Sequence, residues 1–287
     1  MRILKMVLIG LVAIMFVSCQ KELSLENPNH LPPPPGPGPG PDTLGDLLVR
    51  SVINYSTVDS VVTSYSYDGA KRLTAINNSG NISGTVVDNK QTISRDGSGN
   101  ISQVVVVDPQ VGTLTTDVFF DGANNRYSHS IIKVSFGGLN YVDSTVFIYD
   151  GSGRISFSED YEQDPLGVYA LMFKIEYTYA GSGIDSVKYY EPDPTTGVPT
   201  YLSANVYGYD NSVNPLVLSN GDAIILGKPA LYSPNNNNSL QTIDVKTPSN
   251  GNTLTTIFVL NSKSKPVSGT STYQPGGQVY ETAYYYQ

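Results

Sequence analysis

From residue 46 onward, Val, Ile, Tyr, Phe and Thr alternate with polar residues in short runs separated by Asp-Gly, Ser-Gly and Asn-Gly. A period of two is that of a half-buried strand, and the glycine-bearing pairs are tight-turn signals. Almost no stretch offers a helical period. One phrase recurs: SYSYDGAKRLTAI (64–76), TISRDGSGNISQV (92–104), DVFFDGANNRYSHS (117–130), VFIYDGSGRISF (146–157), EYTYAGSGIDSV (176–187), VYGYDNSVNPLVL (206–218) and, faintly, IFVLNSKSKPVSG (257–269). Its turn-opening residues Asp68, Asp96, Asp121, Asp150, Ala180, Asp210 and Asn261 are spaced 28, 25, 29, 30, 30 and 51 apart. A unit of about 28 residues therefore repeats, with something inserted before the last copy.

Each phrase predicts a hairpin. Asp at the first position caps the turn through its side chain, and the fourth position must be left-handed to return the strand. Gly99, Gly153, Gly183 and Asn124 suit that fourth position. Lys71, Val213 and Ser264 do not, which predicts a different loop geometry at those three hairpins.

The expected fold is all-β: an antiparallel meander of roughly 14 to 16 strands over residues 46–287, forming one large curved or partly rolled sheet. Runs such as Val104-Val105-Val106-Val107 are apolar on both faces, so part of the sheet must be covered twice. Residues 211–250, with Pro215, Pro229, Pro234 and four consecutive asparagines, read as an irregular capping segment with one short helix near 216–225. The last strand, 279–286, has neither Lys nor Pro to blunt an edge, so it is expected to pair with 266–273 on one side and to be covered or paired on the other.

Upstream, residues 1–18 have a basic start (Arg2, Lys5) and an apolar stretch from Met6 to Val17, shorter than the roughly 20 residues a spanning helix needs. The chain's one cysteine, Cys19, follows directly. Residues 19–45 hold a Pro/Gly-rich segment, LPPPPGPGPGPD, in which neither helix nor ladder can form, so it reads as a stalk.

Composition narrows the function. Net charge is −8, from 17 basic and 25 acidic residues, and no basic run is present; phosphate binding of nucleic acid needs clustered Lys and Arg. One cysteine and two histidines exclude a disulfide framework, a CxxC pair and the common zinc sites. No residue is assigned to catalysis.

Two groups of residues remain as candidate sites. Asp160, Glu162 and Asp164 lie on one predicted loop and Glu191 and Asp193 on the next, so they are expected to gather as oxygen ligands for Ca²⁺, the one cofactor considered. A solvated acidic rim is the alternative, as is the paired acid and base of a glycan-processing enzyme. The pairs Tyr65 and Tyr67, Tyr177 and Tyr179, and Tyr207 and Tyr209 each share a strand face. They are read either as core with hydroxyls at its margin or as a concave face that stacks on a glycan.

Three resemblances add to this reading. Phe16-Val17-Ser18-Cys19 resembles the bacterial lipobox, which implies cleavage before Cys19 and a lipid on its sulfur that anchors the protein to a membrane. Cys19-Gln20-Lys21-Glu22 looks like the short export signal of Bacteroidota lipoproteins. It implies the cell-surface face of the outer membrane, with the periplasmic leaflet as the alternative. Tyr65-Ser66-Tyr67-Asp68 through Arg72-Leu73, and Tyr149-Asp150 through Arg154-Ile155, are similar to the YD repeats of RHS and teneurin proteins. The whole resembles a Bacteroidota lipoprotein of unassigned function with degenerate YD-like repeats, whose implied role is binding or scaffolding of a glycan or another envelope protein. Asp42-Thr43-Leu44, Asp59-Ser60-Val61, Asp143-Ser144-Thr145 and Asp185-Ser186-Val187 resemble Bacteroidota O-glycosylation sites.

Overall fold

The computed structural model describes residues 47–287 apart from 111, 137–138, 165 and 245–250. The signal segment, Cys19 and the stalk lie outside the described residues. Sixteen strands follow in chain order: β1 (Leu48–Asn54), β2 (Ser60–Tyr67), β3 (Leu73–Ile82), β4 (Thr85–Arg95), β5 (Ile101–Asp108), β6 (Gly112–Asp121), β7 (Arg126–Phe136) and β8 (Leu139–Tyr149) form the first half. The second half comprises β9 (Ile155–Gln163), β10 (Tyr169–Ala180), β11 (Gly183–Pro192), β12 (Pro199–Val213), β13 (Asn235–Asp244), β14 (Asn252–Leu260), β15 (Pro266–Gln274) and β16 (Gln278–Tyr286). A six-residue helix, α1 (Asn220–Ile225), sits between β12 and β13.

Every strand pairs antiparallel with its sequence neighbours, and β16 also pairs with β1, Ser51 opposite Tyr284 and Ile53 opposite Thr282. The sheet is thus a closed barrel, which corrects the expectation of a curved or partly rolled sheet. Repetition of one hairpin predicts the meander, but closure depends on the two end strands meeting. Those strands lie more than 200 residues apart in sequence, and local alternation carries no such information. Closure removes both edges, including the apolar edge at 279–286.

The repeated phrase has a physical explanation. Asp68, Asp96 and Asp150 each accept backbone N–H bonds from the residues two and four positions on, such as Ala70 and Arg72 at 2.9 Å. Those turn amides hold Asp68 and Asp150 below the usual carboxylate range. The tyrosine before the aspartate points inward and donates to a carbonyl under the preceding turn: Tyr67 to Leu48, Tyr149 to Tyr127, Tyr179 to Ile155 and Tyr209 to Ile184. Tyr286 does the same to Pro266 at 2.7 Å. The arginine four residues after the aspartate closes the unit. Arg154 binds Asp150 at 3.1 Å and lies 4.2 Å from the ring centre of Tyr179 in the next unit.

Several turns differ from the expectation. Lys71 and Ser264 adopt left-handed φ values of 62° and 59° and close the same loop as Gly99 and Gly153. The left-handed residue near Asp121 is Asn125, not Asn124, and near Ala180 it is Gly181, not Gly183. No hairpin forms at Asp210, because β12 runs on to Val213 and the chain then turns into the barrel. The inserted stretch 214–234 has 21 residues, which accounts for the gap of 51 where about 30 is the rule. The asparagine run is strand, in β13, rather than part of an irregular cap.

Candidate functional site

Residues 214–234 plug the barrel at the Asp-turn end. Ser219 caps α1 by accepting from the Asp222 amide at 3.1 Å. Leu216, Leu218, Ala223, Ile224 and Leu226 join one buried cluster with Leu73, Ile101 and Ile155 from the wall. Polar contacts fix the plug's orientation. Arg95 Nη1 donates to Asp222 Oδ2 at 2.9 Å, Tyr127 donates to Asp222 Oδ1 at 2.8 Å, and Asn220 accepts from the Ile155 amide while donating to the Tyr179 hydroxyl. Arg95 stands where the units at 67, 149, 179 and 209 carry tyrosine, and it reaches both the Gly99 carbonyl of its own turn and the plug carboxylate. Gly221 allows the close approach: a Cβ there would meet the Tyr127 ring at 2.5 Å.

A groove of about 570 Å³ runs between the plug and the turns, within the size range of small-molecule sites. Four cationic residues line it, Lys71, Arg72, Arg95 and Arg126, against a single acid, Asp222. Arg72 crosses to the next hairpin, where a Cβ on Gly99 would collide with its Nη1. Arg126 is exposed and lies 4.9 Å from the ring centre of Tyr149. Arg95 is 8% exposed, and its Nε has no hydrogen-bond partner. The neighbouring turn aspartates do not line the groove, because their oxygens are taken up by their own turns. Sequence reasoning missed this site, since its cations come from three repeats and form no longer run than Lys71-Arg72.

The tyrosines named from sequence lie in the inner wall. Tyr177 and Tyr207 are in the buried cluster, and Tyr65, Tyr67, Tyr179 and Tyr209 pack against it. Tyr177 shares a hydrogen bond with Ser158, and burial raises its hydroxyl pKa. Of the six, Tyr67 alone lines the groove.

The carboxylates named from sequence divide between turns, strand and lumen. Asp164 and Asp193 cap their own turns, accepting from Leu166 and Val168 and from Thr195 and Thr196. Glu191 lies in β11. Asp160 and Glu162 face the lumen, opposite Thr145 and Asp143 of β8. Among the described residues no group of three His, Cys, Asp or Glu is placed to hold a metal ion. The unforeseen member is Asp143, whose Oδ1 is buried without a partner. Desolvation and then the charges of Glu162 and Asp160 push its carboxyl up to about 6, and desolvation also pushes Asp160 to about 6 against its bond from Thr145.

The wall itself is informative. In β4 the inward residues run from buried Ile93 through half-buried Gln91, Asn89 and Val87, while the outward Ser94, Thr92, Lys90, Asp88 and Val86 are exposed. Elsewhere the outward face carries Lys133 paired with Asp117, Lys188 paired with Glu176, and Lys174 over the Phe157 ring.

Two solved structures share this architecture. A porin-like protein from Bacteroides uniformis superposes with a TM-score of 0.50 at 10% identity, covering 84% of this chain and 98% of that one. A porin-like protein from Bacteroides vulgatus gives a TM-score of 0.51 at 12% identity over 84% and 98%. The fold is a porin-like barrel. No family model and no curated protein matches the chain. A porin-like barrel that spans a membrane turns an apolar band outward and a polar surface inward. This barrel's outward wall is mixed: Lys, Asp, Glu, Ser and Thr stand there beside exposed Val86, Val107, Phe119, Ile148, Ile257 and Val259, while inside, Asp143, Asp160 and Glu162 accompany Ile, Val and Tyr. Among the other sites named from sequence, Ser186 is 6% exposed and bonded to Thr178, which closes it to a glycan in the folded state.

Proposed function

We propose that this chain is a lipid-anchored, non-catalytic binding protein of the cell envelope, held at the outer membrane through Cys19, with its barrel standing in water. The observation that carries the proposal is the charge on the outer wall near mid-strand: Lys90, Lys133, Glu159, Lys174, Lys188 and Glu281. Each Lys on a lipid-facing strand costs about 2–4 kcal/mol at the bilayer midplane. The plug supports the same reading, because it fills the end of the lumen that a pore would keep open. The resemblance to YD-repeat lipoproteins and the lipobox-like Phe16–Cys19 supply the anchor, and the groove beside the plug supplies a place to bind.

The test is fractionation. Full-length protein should sediment with membranes and Cys19→Ala should move to the soluble fraction, since the lipid is then the only hold. Residues 20–287 made without the signal should be soluble and monodisperse in detergent-free buffer. A requirement for detergent would overturn the proposal.

A further inference from the structure

We infer that the groove between the plug and the Asp turns binds an anionic saccharide, a reading that rests on the proposed binding role. A chain of net charge −8 has gathered four cationic side chains against one carboxylate in a single concavity. The imbalance is local. Asp68 and Asp222 offset Arg72 and Arg95, and Asp96 and Asp150 at the same rim turn their oxygens into their own hairpins, so the excess rests on Lys71 and Arg126. Arg72 and Arg95 are anchored by Asp68 and Asp222 at 2.8 and 2.9 Å, so the guanidinium positions are set before any ligand arrives. Arg126 is held over Tyr149 without an ion pair of its own in that contact. Pre-positioned guanidinium groups favour carboxylate or phosphate oxygens, which they engage with paired N–H donors.

The rest of the lining selects for a sugar over a bare anion. Asn100, Asn125 and Ser98 bring amide and hydroxyl groups, which can both donate and accept, and Tyr67 and Phe120 bring half-buried ring surface. A sugar ring offers hydroxyls to the first and C–H faces to the second. The volume, about 570 Å³, far exceeds what one inorganic anion fills.

The experiment is calorimetric titration of residues 20–287 with trigalacturonate, an alginate trimer and a chondroitin disaccharide, against neutral maltotriose and xylotriose and against inorganic phosphate. At least one acidic probe should bind, weaken with added salt, and weaken by about tenfold or more in Arg126→Gln and in Lys71→Gln. Lys133→Gln, on the outer wall, should bind as the parent does, and unchanged melting of all three variants guards against misfolding. Silence from all three acidic probes would overturn the inference, as would phosphate binding as tightly as the best of them or full affinity in Arg126→Gln. Neutral probes binding equally well would remove the charge selection yet leave the binding role standing. Fractionation of Cys19→Ala reads the anchor independently.

Discussion

The hydroxyl of Tyr149 donates to the backbone carbonyl of Tyr127, 2.8 Å away and 22 residues earlier. The same bond recurs at Tyr67, Tyr179, Tyr209 and Tyr286. At those five positions it ties one part of the wall to the strand before it beyond what the ladder does, whereas the units at Asp96, Asp121 and Asn261 carry Arg95, Phe120 and Leu260 there. The tyrosine of the repeat is therefore a structural fastener, and its aspartate and arginine shape the turn that it fastens.

Tyr179→Phe should lose about 1–3 kcal/mol, because the Ile155 carbonyl and Asn220 are left short of a partner where water has poor access. Tyr161→Phe is the contrast, since that hydroxyl reaches Glu159 on the outer wall and its loss should stay within about 0.5 kcal/mol. Urea midpoints of the two variants measure the difference. Equal midpoints would contradict the fastener.

Asp222→Ala should cost about 3–5 kcal/mol, since Arg95 is left as a buried cation without its counter-ion. Replacing both partners by apolar residues, Arg95→Met with Asp222→Leu, should recover part of that loss. Thermal melts of the single and double variants check this, and a single variant within about 1 kcal/mol of the parent, on the order of a surface change, would refute the clamp.

Gly221→Ala places a methyl against the Tyr127 ring, whereas a Cβ at Gly69 meets nothing within 4 Å. The first should cost about 1–3 kcal/mol and the second little. A Gly221→Ala protein with parental stability would show that the plug has room to move.

Folding raises the carboxyl pKa of Asp143 and Asp160 from 3.8 to about 6. The native state then holds protons that the unfolded chain has released between about pH 4 and 6. Stability should fall as pH rises through that window and stay lower above it. Asp143→Asn removes a charge that is unfavourable at neutral pH, so it should raise stability at pH 7 by about 1–2 kcal/mol and flatten the pH dependence. Melting temperatures from pH 4 to 8 decide the matter, and a variant less stable than the parent at pH 7 would reverse the sign argued here.

The sequence made the hairpins legible because turn chemistry is local: Asp96 and Gly99 announce a turn within five residues. It made the plug legible only as an interruption with a helix near α1, because Pro215 and Pro229 show what cannot form there, not where the chain goes. Closure was hidden, since Ser51 and Tyr284 meet across nearly the whole barrel domain. The groove was hidden for the same reason, as Lys71, Arg95, Arg126 and Asp222 come from four separate segments. Around Asp164 and Asp193, adjacency in loops did not say which oxygens a turn engages, and both carboxylates accept from their own turn amides.

Leu47 and Gln287 exchange backbone hydrogen bonds at 3.3 and 2.9 Å, and Tyr67 holds the carbonyl of Leu48. Chain entry and chain exit therefore share one rim, the plugged one. A pull on the chain at residue 47 is therefore taken up at that rim, opposite the end that carries Asp164 and Asp193. A load along β1 is met in shear by the ladders of β2 and β16 together, so the bonds must yield as a set, not one after another as in a peeled edge. A seam made of the chain's two ends is thus also where the barrel resists a pull on either of them.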